Sequence, residues 1–321
     1  MKISVALCTY NGEKYITEQL QSILNQTVSV DEIVICDDNS KDKTVSICEE
    51  ILNKSGLEYK IIVNESSLGV AKNFLKALKL TTGDYIFTCD QDDIWNQNKV
   101  EIFIREAEKS NRMLYFSNGK LVDGENRPLN KSLWEFLNID YSEIKDRDSQ
   151  LDAILKRPIV TGAAMCVSRE LINKVDAIPE EWLHDEWFSI IASAEKSIMP
   201  INEETFNYRQ HGNNVVGATK KSFKEGVATW LEGFNSILEF RRFKQKRSVD
   251  ILNYVKNTEF EGIAQEHFDY WNGLNELKSL SAIKQISKTT KYFFSGKYHK
   301  YFVGSRGYVR DLFVAVLVKK Q

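Results

Sequence analysis

The stretch DYIFTCDQDD (84–93) opens as a β-rich apolar run and ends on three carboxylates, Asp90, Asp92 and Asp93, within four residues. Working outward, KISVALC (2–8), EIVICD (32–37), KIIVN (60–64) and MLYFSN (113–118) read as further strands. Helical patterns lie between them. One runs from about Glu13 to Asn25 with Ile16, Leu20, Ile23 and Leu24 on one face, and a second runs from a cap at Asp38-Asn39-Ser40 to about Leu52. Others lie near Val70–Leu80 and from about Gln97. Continuous apolar strands alternating with helices predict an α/β domain whose mostly parallel sheet is covered on both faces. In such sheets ligands bind beyond the carboxyl ends of the strands. Here those ends read Cys8-Thr9-Tyr10-Asn11-Gly12, Asp37-Asp38-Asn39-Ser40 and Asp90-Gln91-Asp92-Asp93, all polar and two of them acidic.

After residue 125 the rhythm changes to mixed elements, and from about Ser222 the pattern is helical, with no proline beyond Pro200. This places a boundary near 220, between a domain at 1–220 and a helical region at 221–321. At 42% hydrophobic and 27% charged, the chain has a globular composition that excludes disorder and a coiled-coil rod. Residues 220–321 carry 19 Lys/Arg against 10 Asp/Glu, leaving 24 against 35 for residues 1–219. An acidic body with a basic end argues against a whole-chain nucleic-acid binder, and no nucleic-acid partner is expected. Five cysteines without a C-x-x-C pair read as reduced structural thiols of the cytosol. The start, MKISVALCTYNG, lacks the apolar core of a signal peptide, and the longest apolar run, Leu312 to Val318, is far short of a membrane span. A soluble or peripheral cytoplasmic protein is expected.

Three carboxylates as close as Asp90, Asp92 and Asp93 raise one another's pKa unless a cation neutralises them. Oxygen ligands with vacant positions suit Mg²⁺ or Mn²⁺, which keep waters and bind substrate phosphates. A capped turn before the next helix explains such a cluster equally well. Of the pair Asp37-Asp38, one carboxylate can serve as a helix cap, and the second is free for a ribose hydroxyl or a pyrimidine N–H. The 9–12 turn contains neither G-x-G-x-x-G nor G-x-x-x-x-G-K-[ST], which excludes dinucleotide and P-loop sites.

Eight motifs in order carry a resemblance: CTYNGEKYI (8–16), QSILNQT (21–27), DDNSKDKT (37–44), SLGVAKNF (67–74), CDQDDIWNQNK (89–99), VTGAAM (160–165), HDEWFSIIASA (184–194) and YRQHGNNVVGA (208–218). The sequence resembles family 2 glycosyltransferases of the GT-A fold, and among them the bacterial rhamnosyltransferase subgroup. The resemblance covers residues 1 to about 218. It implies a nucleotide-sugar half at about 1–120 and an acceptor half at about 121–220. It also implies Thr9, Tyr10, Asn11 and Glu13 lining a nucleotide pocket, Asp38 on the base and Lys72 nearby. Asp90 would lie near the ribose, Asp92 on Mn²⁺ or Mg²⁺, and Asp93 facing the donor sugar or acceptor. His211 would contact the metal or diphosphate with Arg209 beside it. The implied partners are a dTDP- or UDP-sugar donor and a lipid-linked saccharide acceptor in bacterial cell-surface polysaccharide synthesis.

Breaking a sugar–diphosphate bond develops negative charge that a divalent cation stabilises, and the acceptor hydroxyl then needs a base on the opposite face. Asp185 matches the family's base position, at the start of an amphipathic helix anchored by Trp187, Ile190, Ile191 and Ala194. Glu186 competes for that role, and a first-turn carboxylate is also simply favoured by the helix dipole. The family's usual Glu-Asp is His184-Asp185 here, as in the rhamnosyl subgroup. A nucleotidyltransferase and a catalytically silent nucleotide-sugar binder are the rival readings. The first lacks its Gly-rich, Arg-containing loop, and Asp185 speaks against the second. Residues 278–320 carry ten Lys/Arg and one acid, Asp311, interleaved with Tyr292, Phe293, Phe294, Tyr298, Tyr301, Phe302 and Tyr308. That mixture suits peripheral contact with an anionic membrane at its inner face.

Overall fold

A computed structural model describes residues 1–211 and 234–317. Residues 212–218 of the last motif, the boundary expected near 220, Val318 and the lysines at 319 and 320 lie outside the described residues. The chain divides into two compact units, Met1–Gln150 with Ile159–Gly217, and Leu151–Pro158 with Ala218–Gln321.

In the first unit, β1 (Ile3–Thr9), β2 (Glu32–Asp37), β3 (Glu58–Val63) and β4 (Tyr85–Cys89) are parallel in the order β3-β2-β1-β4. They are joined by α1 (Ile16–Leu24), α2 (Thr44–Leu52) and α3 (Val70–Leu80). Every residue of β1 and β2 is buried, as continuous apolar strands require when both sheet faces are covered. α1 turns Ile16, Leu20 and Ile23 into this core, each contributing ~1.5–3 kcal/mol by burial. The register pairs Thr9 with Asp37 and Leu7 with Cys89, so the polar segments after β1, β2 and β4 leave the sheet at one edge.

Beyond β4 the sheet becomes mixed. The two-residue β5 (Ile94–Trp95) and α4 (Lys99–Ser110) precede β6 (Leu114–Val122) and β7 (Pro128–Ser132). Short helices α5 (Leu133–Leu137) and α6 (Tyr141–Ile144) and then α7 (Arg147–Lys156) lead to β8 (Met165–Ser168), α8 (Arg169–Asn173), α9 (His184–Ala194) and β9 (Ile198–Arg209). β8 runs antiparallel to β4 and to β6, β9 runs parallel to β6, and β5 closes the sheet antiparallel on β9. β9 thereby carries Tyr208 and Arg209 to the acidic edge, which the 3.6- and 2-residue periodicities of the sequence do not announce.

Two helix starts differ from expectation. The first begins at Ile16, not Glu13, because Gly12–Tyr15 form a turn in which Tyr15 and Ile16 both donate to the Gly12 carbonyl. The second begins at Thr44 without a side-chain cap, so Asp38 does not cap it.

The second unit is helical in its described residues: α10 (Phe234–Tyr254), α11 (Glu261–Asn275), α12 (Ala282–Phe294), α13 (Lys297–Tyr301) and α14 (Ser305–Leu317). Two of the aromatic residues expected at a membrane surface, Tyr298 and Tyr301, lie in its core. Tyr298 and Tyr301 are buried against Tyr270, Tyr292, Phe293, Phe302 and Tyr308 are partly buried, and Phe294 is exposed. Among the described residues, no helix is long and apolar enough to cross a membrane.

Candidate active site at the carboxyl edge of the sheet

The loops after β1 and β2 are laced together. Asp37 accepts from the Thr9 hydroxyl at 2.7 Å and from the Ser40 backbone N–H and hydroxyl at 2.8 and 2.6 Å. Asn11 donates its backbone N–H to Ser40 and accepts from the Lys41 N–H, both at 2.8 Å. Glu13 accepts from the Lys43 N–H and donates its own N–H to Asp42, both at 3.0 Å. Thr9, Asn11 and Glu13, expected to line a pocket, thus hold one loop to the next, while the Tyr10 side chain is exposed. Gln91 ties in the third loop: its amide accepts from the Tyr10 N–H at 2.8 Å and donates to the Tyr10 carbonyl at 3.0 Å. A Cβ on Gly12 would lie 2.1 Å from Gln91 Oε1, so glycine is needed there for this close approach.

Asp38 accepts four hydrogen bonds, Oδ1 from Asn64 and the Leu68 N–H and Oδ2 from Ser67 and the Gly69 N–H, at 2.6–3.0 Å. That is the full acceptor capacity of a carboxylate. Burial pushes its pKa up, but these donors together outweigh burial and hold it below the ordinary value. The residue expected to read a base therefore anchors the 64–69 loop in this structure. Lys72 is exposed on the first turn of α3.

The acidic edge is organised around Asp90, Asp92, Asp93 and Asp185. Burial, then the charges of Asp92 and Asp185, push Asp90 up to about 7, with Lys99 opposing. Burial and the same crowding raise Asp93 well above the carboxylate range. Its Oδ1 accepts from the Arg209 N–H at 3.0 Å, and its buried Oδ2 has no hydrogen-bond partner. His211 Nε2 lies 2.7 Å from Asp92 Oδ2, and its ring stacks on Tyr15 with centroids 5.0 Å apart. Asp185 takes a backbone N–H on each oxygen, from Gly162 at 2.8 Å and Glu186 at 2.9 Å. Glu186 turns back to accept from the Leu183 N–H at 3.3 Å, capping α9.

Arg209, expected beside the diphosphate, is buried. Its guanidinium donates to the carbonyls of Asp92 at 2.8 Å and Gly124 at 2.9 Å, pairs with Glu18, and lies 4.6 Å above the Tyr15 ring. It fixes the main chain of the acidic loop from behind. Lys99 holds the main chain of the neighbouring Gly162–Ala164 turn from the core. Its buried ammonium donates to the Ala163 carbonyl at 2.9 Å and lies over the Trp95 and Phe206 rings at 4.2 and 4.6 Å. Burial pulls its pKa down to about 8 against the pull of Cys89 and Asp93. Sequence reasoning missed Tyr15, Glu18, Gln91 and Lys99. Helical spacing could have found Lys99, which shares a face with Ile102, Phe103 and Ala107.

Among the described residues, no group of three or more His, Cys, Asp and Glu side chains is placed to hold a metal ion. The donor set that does exist, one carboxylate and one imidazole at Asp92 and His211, fits a cation that keeps open positions for water and phosphate oxygens.

The glycosyl transferase family 2 sequence model matches residues 4–175, more than half of the chain. The Escherichia coli protein UDP-Glc:alpha-D-GlcNAc-diphosphoundecaprenol beta-1,3-glucosyltransferase WfgD is 26% identical over 84% of this chain and 97% of its own length. The Shigella flexneri dTDP-rhamnosyl transferase RfbG is 33% identical over 66% of this chain and 74% of its own. Among solved structures, S. aureus TarS 1-349 in complex with UDP-GlcNAc aligns with a TM-score of 0.61 at 19% identity, covering 91% of this chain and 81% of that one. Mannosyltransferase PcManGT from Pyrobaculum calidifontis, in complex with GDP-Man and Mn²⁺, aligns at 0.52 and 15% identity, covering 99% and 88%. These likenesses show the fold, a GT-A arrangement.

Proposed function

The chain belongs to glycosyl transferase family 2, and we propose that it is an inverting, metal-dependent glycosyltransferase using a dTDP- or UDP-sugar donor. The first choice of donor is dTDP-rhamnose, supported by the likeness to RfbG; the likeness to WfgD makes UDP-glucose the second. The proposed acceptor is a lipid-linked saccharide of a bacterial surface polysaccharide, reached by a protein peripheral at the inner membrane face. One observation carries the reading: Asp90 sits close enough to both Asp92 and Asp185 for their charges to raise it. A phosphate-side carboxylate and a candidate base therefore share one site.

In this reading Asp185, oriented by the Gly162 and Glu186 N–H groups, accepts the proton of the acceptor hydroxyl. The hydroxyl oxygen bonds to the anomeric carbon from the face opposite the nucleoside diphosphate, whose bond to that carbon breaks, so the configuration inverts. Asp92 and His211 would hold Mn²⁺ or Mg²⁺, which when bound stabilises the charge developing on the departing diphosphate. Asp90 lies on the donor side, and Asp93 supports the loop through Arg209. Glu186 is occupied at the helix start, which favours Asp185 as the base.

A thermal-shift panel of nucleotide sugars with and without Mn²⁺ tests the donor claim. Stabilisation by dTDP-rhamnose or UDP-glucose that depends on the metal is expected, and transfer should release a nucleoside diphosphate. Stabilisation by no nucleoside diphosphate would remove the donor site, and release of inorganic diphosphate would make the protein a nucleotidyltransferase.

A further inference from the structure

His184, the first residue of α9, is buried, and neither of its ring nitrogens has a hydrogen-bond partner among the described residues. A neutral imidazole carries one donor and one acceptor, and leaving both unpaired in a dry site is costly. An apolar side chain would avoid that cost, so core filling alone does not account for a histidine next to Asp185.

Two neighbours fix the ring. One face stacks on Phe74, with centroids 3.9 Å apart and planes 17° from parallel. Phe74 is itself buried in α3, whose Asn73 donates to the Cys36 carbonyl of β2 at 2.8 Å, so the support for the ring is tied to the parallel strands. The ring edge meets Gly162: a Cβ on that residue would lie 2.6 Å from Nε2 and 2.8 Å from Cε1. Gly162 is not in the left-handed region, so glycine is needed there for room.

Gly162 is also the residue whose N–H donates to Asp185 Oδ2 at 2.8 Å, while its carbonyl accepts from the buried Thr88 hydroxyl of β4. The same Oδ2 would lie 3.6 Å from the Gly162 Cβ, so the imidazole edge and the carboxylate occupy one side of this glycine. A side chain without a flat ring loses the stack on Phe74. The larger aromatic rings reach further from the backbone than an imidazole and overrun the Gly162 α-carbon. Histidine meets both limits. We propose that His184 is a positioning residue for the candidate base: wedged between Phe74 and Gly162, its ring fixes the Gly162 N–H against Asp185 Oδ2 and so aims the carboxylate at the acceptor hydroxyl. His184 has this role only if Asp185 is the base, as proposed above.

Kinetics on the full chain test it, with water as the acceptor and release of dTDP from dTDP-rhamnose, or of UDP from UDP-glucose, in Mn²⁺ as the readout. Calorimetry measures binding of the same nucleoside diphosphate. His184→Ala should lower kcat by about tenfold to a hundredfold, as for a reacting group displaced by about 1 Å, and leave that binding unchanged. His184→Phe removes the unpaired nitrogens and keeps the core filled, so it should stay folded by circular dichroism yet lose kcat as well. Gly162→Ala sets a methyl into the ring and should do the same. The double variant Gly162→Ala/His184→Ala should lose no more than His184→Ala alone, because the methyl then has room. Full kcat in His184→Phe would reduce His184 to core packing, and weakened nucleoside diphosphate binding in His184→Ala would place it in the donor pocket; either result overturns the assignment. No release by the unaltered chain, or undiminished release by Asp185→Asn, would instead remove the proposed reaction or its base.

Discussion

Asp311 in the helical unit and Asp93 in the sheet unit are both buried carboxylates, and their surroundings differ in kind. Asp311 pairs with Arg241 at 3.0 Å and Arg310 at 2.9 Å and accepts from the Tyr298 hydroxyl at 2.8 Å. Two guanidinium groups and a phenol surround a single negative charge. Asp93 has one backbone N–H on one oxygen, nothing on the other, and the carboxylates of Asp90 and Asp92 as neighbours. Buried charge is stable when paired and costly when crowded by its own sign. A compensated carboxylate holds a fold together, whereas uncompensated ones mark a place where a ligand completes the balance. The acidic edge of the sheet is of the second sort.

The largest effect that tests this contrast is kinetic. Asp185→Asn should lower transfer by ~10²–10⁴, the contribution of a positioned base, with stability and donor affinity unchanged. Asp92→Asn should abolish metal-dependent donor binding in calorimetry while the protein stays folded. If Asp185→Asn instead loses donor affinity, the base assignment fails. Next in size is the opposite outcome in the helical unit. Asp311→Asn leaves Arg241 and Arg310 without their counter-charge and should cost ~3–5 kcal/mol in urea denaturation. A loss much smaller than this would mean that the Arg–Asp–Arg cluster is no better compensated than the acidic edge.

The parts of this contrast differ in how far they can be read from sequence. Continuous apolar runs become buried parallel strands, EIVICD with the expected bounds and DYIFTCD (84–90) without its two terminal aspartates, because burial on both faces leaves few alternatives. Asp90, Asp92 and Asp93 are visible as a cluster because they are adjacent in the chain. Asp185 lies more than ninety residues away, and the motif resemblance, not the spacing, brings it to the site. Arg209 and Asp38 were legible as residues but not in what they do. Whether a guanidinium faces a ligand or the back of a loop depends on β9 pairing with β5 and β6, a long-range choice without local periodicity. Asp38 is saturated by donors from residues 64–69, which an Asp-Asp pair at a strand end does not foretell. The Arg241–Asp311 pairing joins helices seventy residues apart and leaves no sequence signal.

Acid should affect the two units alike, despite their opposite treatment of carboxylates. Each buries a neutral histidine: His184, stacked on Phe74 at 3.9 Å, and His267, whose Nε2 accepts from Trp271 at 2.9 Å. Burial holds both down at about 3, and Lys244 and Arg247 press further on His267. Below pH 6.5 the unfolded chain takes up a proton that each folded site refuses until about pH 3. Stability is therefore present above 6.5 and lost as pH falls from 6.5 towards 3, by up to ~1.4 kcal/mol per pH unit for each histidine. Denaturation midpoints between pH 7 and 5 measure this. His267→Phe should flatten part of the slope, and an unchanged slope would show that this imidazole is not the proton acceptor.

The smallest effect separates the crowded charges of the acidic edge from the satisfied hydrogen bonds that frame them. Gln91 lies between Asp90 and Asp92 yet takes no part in their repulsion, since its amide is uncharged and bonds the Tyr10 backbone through both its oxygen and its nitrogen. Alanine at position 12 would set a Cβ 2.1 Å from Gln91 Oε1 and 2.5 Å from its Cδ, so the amide must swing away and both bonds are lost. The backbone of Gly12 is not in the left-handed region, so the clash alone carries the cost. These bonds are exposed and water replaces them, so Gly12→Ala should destabilise by ~1 kcal/mol. Gln91→Ala removes the same two bonds and should cost about as much. Because the clash disappears with the side chain, the double variant should cost no more than Gln91→Ala alone, a coupling of ~1 kcal/mol. Urea denaturation of the four proteins closes the cycle. If the two losses add, Gly12 serves something other than room for Gln91, and the clamp is not what joins the first and third loops.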